Sequence, residues 1–481
     1  MRQLSPHILS LSENLSGLPE YDPICLKIKN NIIKLWKKVL IETFILGDIH
    51  LIDTPQIIDH IIKEKHPLEI QTKEFKLHDF ILNETHLRQN IAQEFIMCYE
   101  KISSNVNSLP FGFAQNKKSF RSDISSKSFI QLKEFNQATI EFFIDPLNKE
   151  YNINNFDFSE GIVFFFNDHK EVITESEILI KKINPVMSYF ICKIKHFINL
   201  CGFNKNNYRF IKNNKNPVDD CWDLEIDINN KWIKCVTVAY KSNLNYLSPI
   251  SIPCKEYEKI KETLKINKKN IFAEFKEETK IVLNLINENE KIIINKLNDN
   301  YTEIKINKFI LKKEHFRVIR KNQKLRERII VPHVVESSFD IDRIFHAIIF
   351  NLTKKVNLKS VLSLNSNITP YNFSVFKIFN KRKLDNIYNS VITTIYNRDL
   401  TVFNDLSNSS LSKKYLISDS IGVPYVIIID TDTIKSNRVI MRERDTTLQI
   451  YIPVKVIGSF CKDLLFNPKL FYDIVEGKLE F

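Results

Sequence analysis

The sequence predicts an α+β protein in which a strand-rich core is followed by a smaller domain of alternating strands and helices. Three patterns carry this expectation. Two pairs of extended segments each flank a polar turn: 117–124 with 132–145, and the two halves of 222–239, which meet at Asn229-Asn230. Asparagine tolerates the left-handed backbone that a tight turn needs. Helical stretches at 23–43, 185–201 and just after residue 340 each gather apolar residues on one face. Beyond residue 370, strand and helix signals alternate, as in an α/β unit.

The helix at 23–43 opens on Pro23, which suits a first turn whose N–H groups lack helical partners. Ile28, Ile32, Trp36, Val39 and Leu40 mark its apolar side. An extended segment, IHLIDTP, ends at Pro55, and 86–101 is helix-like. In the strand at 132–145, Phe135, Gln137, Thr139 and Glu141 share a face by period-two alternation. Residues 254–325 are charged, rich in Asn and Lys and poorly patterned, and read as an insertion. IIVPHVVE, 329–336, reads as a buried strand leading into a helix with apolar positions 341, 344, 345, 348, 349 and 352. A Ser/Asn-rich link at 360–369 precedes strand 373–379, helix 382–397, strand 400–403, a helix near 409–417, strands 424–430 and 438–442, and a final helix at 459–473. The expected division is a first core part at 1–253, the insertion at 254–325, a second core part at 326–358 and a last domain at 359–481.

Composition narrows the chemistry. The formal net charge is +12, which fits a polyanionic partner such as nucleic acid and equally fits plain solubility with lysine-biased coding. Eight cysteines are scattered with no C-x-x-C pair, so zinc-site spacing is absent and reduced thiols in a cytosolic protein are expected. MRQLSPHILSLSENL lacks the apolar core and cleavage site of a secretory signal, and GIVFFF at 161–166 is too short to span a membrane. With eight glycines in the whole chain, neither a Walker loop nor a G-x-G-x-x-G turn can be assembled. Any nucleotide phosphates must be held by side chains, arginine above all.

Several ordered motifs carry a resemblance. LPFGFAQNKKSFRSDISSKSFIQLKEFNQATIEFFIDP at 109–146 is similar to motif 2 of class II aminoacyl-tRNA synthetases, and VPHVVESSFDIDRI at 331–344 to motif 3, in the form found in eukaryotic and archaeal glycyl-tRNA synthetases. LRQNIAQEF, DCWDLE and NKWIKCV match further signatures of that family in order and spacing. ITPYNFSVFKIF, KKYLISDSIGVPYVIIID and MRERDTTLQI resemble its anticodon-binding domain. The resemblance implies an antiparallel catalytic sheet of six or seven strands flanked by helices, a C-terminal α/β anticodon-binding domain, and a homodimer through the helix at 23–43 and the strand ending at Pro55. It also implies a cytoplasmic glycine–tRNA ligase using ATP and Mg2+, with glycine and tRNA(Gly) as substrates.

The chemistry explains the matched positions. Adenylation brings a carboxylate onto the ATP α-phosphate, so two anions must be aligned and their repulsion offset. By resemblance Arg121 meets the α-phosphate, Arg343 meets the γ-phosphate from a helix N-terminus that itself favours anions, and Phe135 stacks on adenine. Asp123 stands where the family has a glutamate. Glycine recognition falls to Arg88, Asn90, Glu141, Glu336 and Ser338. Taken singly, each arginine would read as a surface or ion-pairing residue, Phe135 as core, Glu141 as a solvated strand residue and Glu336 as a strand-end cap; the matched context favours the site.

This chain departs from the family at charged positions. Asn90 replaces a glutamate, and Lys234 replaces one that helps hold a magnesium ion, placing a point charge within reach of a phosphate. Lys241 falls on an arginine. In motif 3 the usual glycine is Asp340, with Asp342 two residues on, and extra carboxylates repel a triphosphate. The reading is therefore an ATP-dependent ligase, with a catalytically impaired relative that binds nucleic acid or protein as the alternative. Two basic stretches offer RNA contacts or simple solvated faces. One is 193–217, with six Lys/Arg interleaved with Phe203, Tyr208 and Phe210; the other is 308–328, with nine Lys/Arg against two Glu.

Overall fold

A computed structural model describes residues 21–54, 57–58, 86–87, 95, 98–99, 101, 109–121, 132–148, 151, 156, 158–166, 169–214, 218–242, 247, 249–299, 301–356, 359–379 and 382–479. Its contacts divide into two compact units, one holding the bulk of the chain and one formed by Pro249–Ile330.

The first unit is built on a nine-stranded sheet. Its elements in chain order are α1 (Pro23–Lys37), β1 (Asp48–Leu51), β2 (Phe111–Phe120), β3 (Glu134–Ile144), β4 (Ile162–Phe166), β5 (His169–Ile173), α2 (Ser176–Lys182), α3 (Pro185–Leu200), β6 (Tyr208–Lys212), β7 (Asp220–Ile228), β8 (Lys231–Lys241), β9 (His333–Asp340) and α4 (Ile341–Leu352). The spatial order is β1-β2-β3-β9-β8-β7-β6-β4-β5. All neighbours are antiparallel except β1 with β2 and β4 with β6. β1 at one edge and the β4–β5 hairpin at the other take the sheet beyond the six or seven strands expected.

One face carries the core. Ala138, Ile140 and Phe142 of β3, Val335 and Phe339 of β9, and Val236 and Val238 of β8 pack under the apolar sides of α1, α3 and α4. Ile344, Phe345 and Ile348 of α4 are fully buried, each stabilising by about 1.5–3 kcal/mol. α1 starts at Pro23 with the Asp22 side chain capping Cys25 N–H at 2.8 Å, and its last turns widen into a π-helix at Lys38–Glu42. Asn229 and Asn230 both have positive φ, at 52° and 62°, the geometry of a two-residue hairpin loop.

Two extended expectations need correction. The strand expected at 329–336 is two elements: Ile329 and Ile330 end another strand, Ile329 being 77 % exposed, while β9 starts beyond Pro332, a residue without a donor for a central ladder. In the basic stretch 193–217, which is described as far as residue 214, the first two lysines and the aromatics do not form an open RNA surface. Phe203, Tyr208 and Phe210 are core residues, Lys193 and Lys195 are buried, and the Lys193 ammonium donates to Thr43 O at 2.6 Å.

The C-terminal part contains β10 (Phe373–Lys377), α5 (Arg382–Tyr396), β11 (Val402–Asn404), α6 (Leu411–Ser420), β12 (Tyr425–Ile429), β13 (Arg438–Glu443), β14 (Gln449–Pro453) and α7 (Ile457–Phe466). They form a five-stranded sheet, β11-β10-β12-β13-β14, over its own core. β14 was not foreseen, and the single helix expected at 459–473 is two, separated at Asn467-Pro468. Within the link, Leu362, Leu364 and Ile368 are buried, so 360–369 is packed chain.

The second unit is a long antiparallel ribbon, Ile250–Ile266 against Phe316–Ile330, carrying three helices and a hairpin at Glu303–Lys312. Ile271, Val282, Ile286, Ile293, Ile304 and Leu311 form a separate core. The poor patterning of this stretch conceals an ordered subdomain. Among the described residues of the chain, no helix is long and apolar enough to cross a membrane.

Candidate active site

The sheet face opposite the helices gathers the polar residues. Cross-strand register sets Phe113, Gln115 and Ser119 of β2 opposite Glu141, Thr139 and Phe135 of β3. It then sets Glu141, Thr139 and Gln137 opposite Glu336, Ser338 and Asp340 of β9, and Ser338 and Glu336 opposite Thr237 and Ala239 of β8. Period two thus places Phe135, Gln137, Thr139 and Glu141 on one face, as expected. At its centre the Ser119 hydroxyl donates to Gln137 Oε1 at 2.7 Å, and Gln137 Nε2 donates to Ser338 Oγ at 2.7 Å.

Arg121 and Arg343, far apart in sequence, converge on one carboxylate. Arg121 follows the end of β2, and its Nη2 lies 3.7 Å from Asp340 Oδ2. Its guanidinium carbon sits 3.9 Å from the Phe135 ring centroid, so one face of that ring is already covered. Arg343, in the first turn of α4, places Nε 3.1 Å from the same Asp340 oxygen. Asp340 also caps α4, accepting from Arg343 N–H at 3.0 Å. Burial pushes the Asp340 carboxyl up to about 6, against the pull of Arg343 and Arg121. The residue that replaces glycine therefore sets an anion between two guanidiniums.

Asp342 behaves otherwise. It is fully buried and turned towards α1, where Lys29 Nζ and Tyr21 OH donate to it and Asn136 N–H closes the group. It anchors the start of α4, and its charge reaches the cleft only as a small upward push on the Asp340 carboxyl.

A β-bulge brings Lys234 to the site. The register between β8 and β7 slips between Lys234 and Val236, and both Cys235 and Val236 point into the core. An extra residue in one strand shifts the alternation, so Lys234 shares a face with Thr237 although three positions separate them. Its ammonium is 2.8 Å from Asp223 Oδ1, which also accepts from Thr237 Oγ1 at 2.9 Å. Lys234 O accepts from Arg343 Nη1 at 2.9 Å. Lys234 thus rests on a carboxylate of its own chain, a partner the sequence did not reveal.

At the other end, Glu141 and Glu336 face each other across β3 and β9. Lys241 Nζ forms an ion pair with Glu336. Glu141 stands opposite Phe113, whose ring meets Phe143 edge-on, and Phe143 in turn stacks with Phe111 and Tyr99. Burial pushes the Glu141 carboxyl up to about 8, with Lys241 opposing and Glu336 reinforcing. Arg88, Asn90 and Asp123 lie outside the described residues.

A divalent ion needs carboxylates with lone pairs to give. Near the arginines the described carboxylates are Asp340, held by Arg121 and Arg343; Asp223, held by Lys234, Thr237 and, at 2.8 Å, Asn213 Nδ2; and Glu225, gripped by Arg209 Nε and Nη2 at 3.0 and 2.9 Å. Arg209 in turn lies over Trp232 at 4.1 Å. This donor set does not fit a protein-held Mg2+.

Known proteins share this design. A prolyl-tRNA synthetase from Giardia lamblia, solved with prolyl-adenylate, superposes with a TM-score of 0.59 at 13% identity, covering 95% of this chain and 76% of that one. The fold is that of the class II aminoacyl-tRNA synthetases. A family model for the anticodon binding domain matches residues 361–464. A glycine–tRNA ligase of Methanococcus vannielii is 27% identical over 421 residues, 79% of this chain and 72% of that protein. Glycine–tRNA ligase 2 of Saccharomyces cerevisiae is 28% identical over 421 residues, 79% of this chain and 68% of that protein. Over about four fifths of its length the chain is thus similar to glycine–tRNA ligases.

Proposed function

We propose that the protein joins glycine to tRNA(Gly), forming glycyl-adenylate from ATP before transfer. The observation that carries this reading is the convergence of Arg121 and Arg343 on one point of the sheet. A carboxylate occupies that point now, and a triphosphate suits it by the same charge-assisted bonding. Arg121 takes the α-phosphate, Arg343 the γ-phosphate and Lys234 a further phosphate oxygen; Phe135 takes adenine once Arg121 lifts from its face. Glu141, Glu336 and Ser338 form the glycine pocket, and Asp123, Arg88 and Asn90 complete the two subsites. The basic strand Phe316–Ile330 of the second unit serves as a tRNA contact. A homodimer through α1 and the edge strand β1, working in the cytoplasm, completes the proposal.

The test is glycine-dependent ATP–pyrophosphate exchange. Arg121→Ala should lower it by about 100-fold or more, the scale of losing a charge-stabilising donor. One observation favours the other reading, a relative that binds RNA without adenylation: Asp340, Lys234 and Lys241 already satisfy the site's charges from within. Wild-type protein that folds and binds tRNA yet exchanges with no amino acid would establish that reading instead.

A further inference from the structure

The phosphate cradle contains three cations, Arg121, Arg343 and Lys234, and no carboxylate among those described near them that lacks a cationic partner of the chain. We propose that the site binds its nucleotide as the metal-free triphosphate, with Lys234 as the built-in cation in place of a protein-held Mg2+. The inference rests on the reading that nucleotide phosphates bind between Arg121 and Arg343.

Two features of the backbone argue that Lys234 is placed for this. The bulge at Cys235–Val236 turns its side chain out of the core and onto the face that bears Asp223 and Thr237. Without the extra residue, strict alternation would send a residue three positions from Thr237 to the opposite face. The Lys234 carbonyl also holds Arg343 Nη1 at 2.9 Å, so one residue positions a phosphate arginine through its backbone and offers an ammonium through its side chain. That side chain is 44 % exposed, and its flexible stem can leave Asp223 for a stronger anion. A divalent ion arriving with the nucleotide would meet this ammonium and two guanidiniums and gain no protein ligand among the described carboxylates.

The experiment is calorimetric titration of the full chain with ATP in EDTA and in excess MgCl2. We expect the two affinities of the wild type to agree within about threefold, well under a tenfold step of 1.4 kcal/mol. Lys234→Glu should weaken binding in EDTA by about tenfold or more and make binding depend on Mg2+. Because a glutamate beside Asp223 can unsettle the strand, Lys234→Met is measured in parallel: it keeps the stem, and it should lose metal-free affinity without gaining metal dependence. Wild-type binding that requires Mg2+ would overturn the inference and leave the ATP reading standing. Metal-free binding unchanged in Lys234→Met would overturn the role given to the lysine. Binding in neither condition would overturn both readings together.

Discussion

Replacing Asp340 with asparagine isolates the effect of the anion lodged between the arginines. Asparagine keeps an acceptor for Arg343 N–H, bonded at 3.0 Å, and ranks with aspartate as a helix cap. What it removes is the charge. The carboxyl stands at about 6 instead of 3.8, so its ionised form costs about 3 kcal/mol relative to the unfolded chain. A raised carboxyl contributes stability that is complete below its unfolded value and is lost as pH rises through about 6. Asp340→Asn should therefore gain up to about 3 kcal/mol over the wild type at pH 8 and show no such advantage near pH 4. For ATP the gain is smaller. An incoming triphosphate must displace this carboxylate from both guanidiniums, and the Arg121 contact is long at 3.7 Å with its side chain 31 % exposed, so screening reduces it. A net gain of about 1.4 kcal/mol, or tenfold tighter ATP, follows. Urea unfolding at the two pH values and calorimetric titration at pH 8 measure both effects. Unchanged or weaker ATP affinity in a folded Asp340→Asn protein would refute the idea that Asp340 occupies the phosphate position.

Glu141, raised to about 8 by burial, should likewise cost stability as pH climbs from about 4.5 through 8, so the wild-type melting temperature should fall between pH 6 and pH 9. Glu141→Gln should flatten that fall by a few kcal/mol, and an identical pH profile would count against a buried acid. Asp342→Ala strands the buried Lys29 ammonium and should destabilise by about 3–5 kcal/mol in chemical denaturation. Pairing it with Lys29→Met should recover part of the loss, and no recovery would mean the two do not act as a pair.

The sequence revealed what depends on local period and lost what depends on partners. One-sided helices, the Asn229-Asn230 turn and the shared face of Phe135 to Glu141 follow from repeats of 3.6 and two, and each is present. Asp340 and Asp342 looked alike as extra charges, yet one caps α4 between arginines and the other is buried against α1, because a helix turns about 100° per residue. The bulge at Cys235–Val236 left no signal, since both of those residues suit the core and alternation resumes beyond them. The lysines and aromatics of 193–217 suggested an RNA surface because charge alone does not tell a solvated lysine from a buried one bonded to a backbone carbonyl. β14 escaped because its alternation spans only Gln449–Pro453.

The ribbon of the second unit has one further consequence. Its terminal residues, Ile250 and Ile330, stand opposite each other in the ladder, so once that excursion has zipped shut the chain between Thr237 and Ser338 is effectively a short tether. Joining those two strands then costs far less configurational freedom than their separation along the polypeptide suggests, a saving of about 1–2 kcal/mol by the logarithmic law of ring closure. The subdomain acts as a staple for the search that assembles β8 against β9, whatever else it binds.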